Sequence, residues 1–100
     1  MMNNKMMLEL QKAQKELEKK RNALLEKEFT VSKGGAVTIA MTGNYEVVEI
    51  VIEKDVLEPD NKDMLEELIL LAYTELFNMI KQEETAIDDE LKHKFKGLPL

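Results

Sequence analysis

The chain has no cysteine, no tryptophan, a single serine (Ser32) and a single histidine (His93). The first absence excludes a thiol nucleophile, a disulfide and a cysteine zinc site. The scarcity of serine and histidine leaves little for nucleophilic catalysis, because Ser32 stands beside a glycine pair with no base near it in sequence. Long apolar runs are missing too. The longest, Leu68 to Tyr73, is far short of the roughly 20 residues that a membrane helix needs. Met1-Met2-Asn3-Asn4-Lys5 leads straight into a polar amphipathic segment without a signal-peptide pattern, so a soluble, cytoplasmic protein is expected. Positive charge is in deficit, with 14 Lys+Arg against 20 Asp+Glu and a net charge of −6. That balance excludes a globally basic nucleic-acid binder.

What is present suits one domain over residues 1–100, since 44% apolar content in a chain this short builds one core and not two. Residues 4–28 contain no Gly or Pro and are dominated by Ala, Leu, Met, Gln, Glu and Lys, which predicts a helix. Met6, Leu10, Ala13, Leu17 and Leu24 fall on one side of it, a narrow stripe suited to docking along another helix. Between 29 and 53 the period changes to two, with Phe29/Val31, Val37/Ile39/Met41 and Val48/Ile50/Ile52 each lining one face of a strand. Gly34-Gly35 and Gly43-Asn44 separate the strands, and both pairs are read as two-residue hairpin loops supplying positive φ. A three-stranded antiparallel meander follows. Pro59 stops the extended run, and Asp60 is expected to cap a second helix over 61–92 whose main face carries Leu65, Leu68, Ile69, Ala72, Leu76, Met79, Ile80 and Ile87. Residues 93–100 read as a flexible tail. The fold class is α+β: helix, three-stranded meander, helix.

Candidate sites for chemistry are sparse. His93 follows Asp89 and Glu90 at helical spacing, yet Lys92 and Lys94 flank it and disfavour a cation. Glu83, Glu84, Asp88, Asp89 and Glu90 lack the loop and glycine of a calcium hand and read as a solvated helix face. Gly34-Gly35 precedes a strand rather than a helix N-terminus, so it cradles no phosphate. No enzyme activity, cofactor or metal is expected, and neither a membrane nor a small-molecule substrate is expected as a partner.

Two features point to partners. Lys5, Lys12, Lys15 and Lys19 lie within about 80° of arc on the first helix, opposite its leucine stripe. This basic ridge could contact phosphate, with Lys92, Lys94 and Lys96 joining it, or it could be a solvated face stitched by Glu9–Lys12 and Glu16–Lys20 pairs. Second, Leu70, Tyr73 and Phe77 widen the apolar face of the second helix, and Val47 and Val51 give the third strand an apolar second face. One chain lacks cover for both. A homodimer about a twofold axis, with these five residues at its interface, is the simplest supply.

Gly35-Ala36-Val37, Gly43, Val48-Glu49-Ile50, Leu57 and above all Asp63-Met64-Leu65-Glu66-Glu67-Leu68-Ile69 with Ala72, in that order, resemble the YbaB/EbfC family of small bacterial nucleoid-associated proteins. The resemblance spans about residues 10–96 and departs from the family pattern at Thr74-Glu75-Leu76. It implies a tweezer-shaped homodimer in the nucleoid that binds double-stranded DNA with little sequence dependence, organises the nucleoid or influences gene expression, and carries no catalysis and no cofactor. The alternative is a protein-binding or chaperone-like module, since helix, hairpin, helix also resembles the prefoldin arrangement and seven Met suit an adaptable apolar surface.

Overall fold

The computed structural model describes residues 3–94 and Lys96. Helix α1 spans Asn4–Glu26, strands β1, β2 and β3 span Glu28–Lys33, Val37–Thr42 and Val47–Ile52, and helix α2 spans Lys62–Lys94, with short 3₁₀ turns at Lys54–Val56 and Pro59–Asn61. The Asn3 side chain accepts a hydrogen bond from the Met6 N–H at 2.8 Å and so caps α1. At its other end the helix stops two residues before the expected boundary, and the chain turns directly into β1. Helix α2 likewise starts later than expected. Pro59-Asp60-Asn61 forms a 3₁₀ turn, so Asp60 does not cap α2, and the Asn61 side chain donates to the Val56 carbonyl. At the C-terminal side α2 continues through Lys94, two residues beyond the expected end, which makes the start of the anticipated tail helical. The rest of that tail, residue 95 and residues 97–100, lies outside the described residues.

The sheet is antiparallel in the order β1-β2-β3. Phe29 and Val31 on β1 and Val37, Ile39 and Met41 on β2 are buried on one face, where Ala72, Leu76 and Ile80 of α2 cover them. Helix α2 packs on β1 and β2 and barely reaches β3. Beyond the sheet, the second half of α2 runs antiparallel to α1, whose Leu17 and Leu24 are buried as the stripe requires. The molecule measures 68 × 20 × 15 Å, and its Cα radius of gyration is 19.9 Å, against about 13 Å for a compact chain of this length.

Both hairpins depart from the two-residue reading. The β1–β2 loop is three residues long, because Lys33 pairs with Val37; Gly34 and Gly35 do carry positive φ, +60° and +63°. In the β2–β3 loop the positive φ belongs to Tyr45, at +67°, and not to Gly43 or Asn44. Gly43 is needed for proximity instead. Its N–H donates to the Lys27 carbonyl at 2.9 Å, and a Cβ there would sit 1.7 Å from the Leu24 carbonyl oxygen at the end of α1.

A bulge also re-phases β3. Ala40 pairs with Glu49 but Met41 pairs with Val47, which leaves Val48 as the extra residue. Residues opposite one another in a ladder share a face, so Val47 joins Ile50 and Ile52 on the α2 side of the sheet. Val51, across from Thr38, points the other way. The expectation that Val47 and Val51 share a face is therefore corrected.

Gly43→Ala should destabilise the protein by about 2–4 kcal/mol and lower the melting temperature by about 10 °C or more, followed by circular dichroism. Gly35→Ala, which meets no atom within 4 Å, should cost only the left-handed backbone penalty of about 1–2 kcal/mol.

Candidate nucleic-acid interface

The antiparallel helix pair sorts the cations of α1 into two groups. On the side turned toward α2, Lys20 donates to both carboxylate oxygens of Glu90 at 2.7 and 2.8 Å. Arg21 reaches Asp88 at 3.1 Å, and just past the helix end Lys27 reaches Glu83 at 2.7 Å. Lys94 approaches Glu16 at 3.6 Å from the end of α2. Each of these pairs is partly solvated, so each alone contributes little; all of them fit the antiparallel register in which Leu17 and Leu24 are buried. The hydrogen bonds from Lys20, assisted by its charge and that of Lys94 and opposed by partial burial, hold the Glu90 carboxyl below the ordinary carboxylate range.

On the other side, Lys5, Lys12, Lys15 and Lys19 are exposed, and among the described residues no carboxylate lies within ion-pair distance of any of them. The Glu16–Lys20 pair expected within α1 is not formed, because both residues are engaged with α2; nor is a Glu9–Lys12 pair formed. Helix α2 ends with Lys94 beside Lys12, Ala13 and Glu16, so the first turns of α1 extend past it as an arm. The N-terminal half of α1 carries Lys5, Lys12 and Lys15 of the ridge. Lys92 and Lys96 are exposed as well, whereas Lys94 is occupied by Glu16.

The other candidates for chemistry resolve into structural roles. The Ser32 hydroxyl pairs with that of Thr38 at 2.7 Å across the outer sheet face. Glu83, Asp88 and Glu90 are spent on cations of α1 and its C-cap, and among the described residues no group of three His, Asp or Glu side chains is placed to hold a metal. No helix among them is long and apolar enough to cross a membrane.

The chain is similar to known proteins along most of its length. It matches the YbaB/EbfC DNA-binding family over residues 1–93. The chain belongs to that family. A nucleoid-associated protein of Clostridium novyi (strain NT) is 42% identical over 96 residues, covering 95% of this chain and 82% of the relative. One from Enterococcus faecalis (strain ATCC 700802 / V583) is 36% identical over 95 residues, covering 94% and 88%, and one from Mycoplasmopsis pulmonis (strain UAB CTIP) is 36% identical over 88 residues, covering 88% and 87%. The crystal structure of an uncharacterized Helicobacter pylori protein superposes with a TM-score of 0.70 at 17% identity over 91% of this chain and 98% of that one, a likeness of fold. The YbaB/EbfC family is a DNA-binding family and not an enzyme family.

The apolar strip lies at the sheet end. Leu70, Tyr73 and Phe77 of α2 are exposed beside the uncovered β3, whose Val47 and Ile50 face the same side. The structure adds Tyr45, which sequence reasoning did not single out. Its ring lies 4.9 Å from that of Phe77, and its hydroxyl donates to the Glu84 carboxylate. Nothing in the sequence links it to a residue 39 positions away. The hydrogen bond to Glu84, with burial and the carboxylate charge adding to it, pushes the Tyr45 phenol from 10.0 up to about 12.

Because the folded value is the higher one, this contribution to stability is complete below pH 10 and is lost as the pH rises through about 12. Ultraviolet titration of Tyr73→Phe, which leaves Tyr45 as the only tyrosine, should show a phenol midpoint near 12, and adding Glu84→Gln should return it toward 10.

Proposed function

We propose that the protein is a non-enzymatic, dimeric, nucleoid-located protein that binds double-stranded DNA with little sequence preference, its lysine ridge contacting backbone phosphates. The observation that carries this reading is the segregation of cations on α1: among the described residues Lys5, Lys12, Lys15 and Lys19 have no carboxylate partner, while Lys20 and Arg21 are bound to acids of α2. Family membership and the nucleoid association of the relatives' names support DNA as the ligand.

The ridge supplies lysine point charges rather than base readers. Arg21 is the only arginine in the chain, and its ion pair with Asp88 removes the side chain best suited to bidentate contact with guanine. Backbone contact therefore dominates. Two protomers offer about eight ridge phosphate contacts, to which Lys92 and Lys96 would add while Lys94 is paired with Glu16, and counterion release makes the affinity fall steeply with salt. At a net charge of −6 per chain, approach to a polyanion has to be oriented with the α1 arms forward.

A second copy belongs to this reading because the strip formed by Val47, Leu70, Tyr73 and Phe77 lies in water in the single chain. We assign it, together with Val51 on the opposite sheet face, to contact with a second copy. Two arms then serve one duplex, which fits an influence on nucleoid organisation or gene expression.

Fluorescence anisotropy with a random-sequence duplex should show binding whose logarithmic dependence on salt is steep and negative. Changing Lys5, Lys12, Lys15 and Lys19 together to Glu should abolish it, with the oligomeric mass unchanged. Leu70→Glu with Tyr73→Glu should convert a species of twice 11.5 kDa to one of 11.5 kDa by sedimentation equilibrium and weaken binding by lost avidity. Salt-insensitive capture of unfolded chains, without DNA binding, would replace this reading with that of a chaperone-like module.

A further inference from the structure

Resting on the ridge reading, we infer that Leu8 is an apolar wedge that enters the minor groove of bound duplex DNA and bends it. Leu8 is 65% exposed, the most exposed large apolar side chain among the described residues. It lies on the projecting arm, on the side of α1 away from the buried Ala13, Leu17 and Leu24. Helical spacing puts it in the ridge itself, three residues after Lys5 and four before Lys12, with Lys15 one heptad further on. Leu8 stands in water between ammonium groups that have no carboxylate partner among the described residues, and no described element covers it.

The chemistry of its surroundings selects the occupant. Lys5 and Lys12 are about 10 Å apart along the helix axis, and the minor groove is about 6 Å wide between two phosphate walls. Lysines holding phosphates on either wall would direct the side chain between them into the groove floor. Apolar side chains delivered this way part a base step and kink the duplex by roughly 20–90° toward the major groove. A wedge adds no phosphate contact, so its removal leaves the salt dependence untouched. Affinity and salt slope thus separate the role of Leu8 from that of its lysine neighbours.

The test is a duplex of about 20 base pairs of random sequence, labelled at its two ends for energy transfer and titrated with the full chain. Wild type should shorten the end-to-end distance, and Leu8→Ala should bind with an unchanged salt slope and about tenfold weaker affinity or less while leaving the duplex straight. Leu8→Met should restore the bend. Bending by Leu8→Ala equal to wild type, or binding by wild type without bending, would overturn the wedge and leave the phosphate ridge standing. Absence of binding by wild type would overturn both. Anionic phosphatidylserine vesicles bound more tightly than the duplex, with that preference lost in Leu8→Ala, would also overturn it by giving the arm a lipid surface as its ligand.

Discussion

The structure depends on a mismatch of lengths. Helix α2 has 33 residues, about 50 Å of helix, whereas each six-residue strand beneath it covers only about 20 Å. The helix as far as Ile80 buries its stripe, Ala72, Leu76 and Ile80, against β1 and β2. The remainder runs off the sheet. It needs another apolar partner, and the leucine stripe of α1 provides one, which makes the molecule 68 Å long and not compact. The projecting arm is the remainder of α1 after α2 has ended.

The same mismatch distributes the charge. An acidic chain can present a phosphate-binding surface only where its own carboxylates are elsewhere or neutralised. Pairing the helices antiparallel brings Glu83, Asp88 and Glu90 against Lys27, Arg21 and Lys20, so part of the acidity of α2 is balanced within the molecule. The lysines on the far side of α1 have no carboxylate partner among the described residues. Helix packing and charge pairing are thus one arrangement, since the register that buries Leu17 and Leu24 also decides which cations are paired.

At the junction of these parts stands the β2–β3 hairpin. Gly43 lets it touch the last turn of α1, and Tyr45, held in a left-handed conformation, reaches Phe77 and Glu84 on α2. The backbone cost at a non-glycine residue, about 1–2 kcal/mol, is offset by these contacts. The hairpin therefore joins α1, the sheet and α2. Its glycine was legible in the sequence, but its reason was not: a glycine beside an asparagine between two strands reads as a turn residue of positive φ, and only the approach of a backbone carbonyl from residue 24 shows otherwise.

Periodicities and breakers act between near neighbours along the chain, and they determined the two helices, the three strands, the meander and the stripe by which α1 docks. The lysine ridge was equally legible, because spacing on a helix is a local property, and by the same count Leu8 lay within it. What is decided by neighbours in space lay beyond that reading. The β3 bulge moved Val47 to the face of Ile50, since a register is chosen by the partner strand and not by alternation alone. Helical spacing sets Lys20 and Arg21 off the ridge, beside the leucine stripe, but only the antiparallel packing of α2 brings Glu90 and Asp88 to them. The sequence by itself determined where charge and apolar surface lie on each element; the tertiary structure decided which of them are consumed internally, because pairing and burial depend on distances that residues far apart in the chain acquire only on folding.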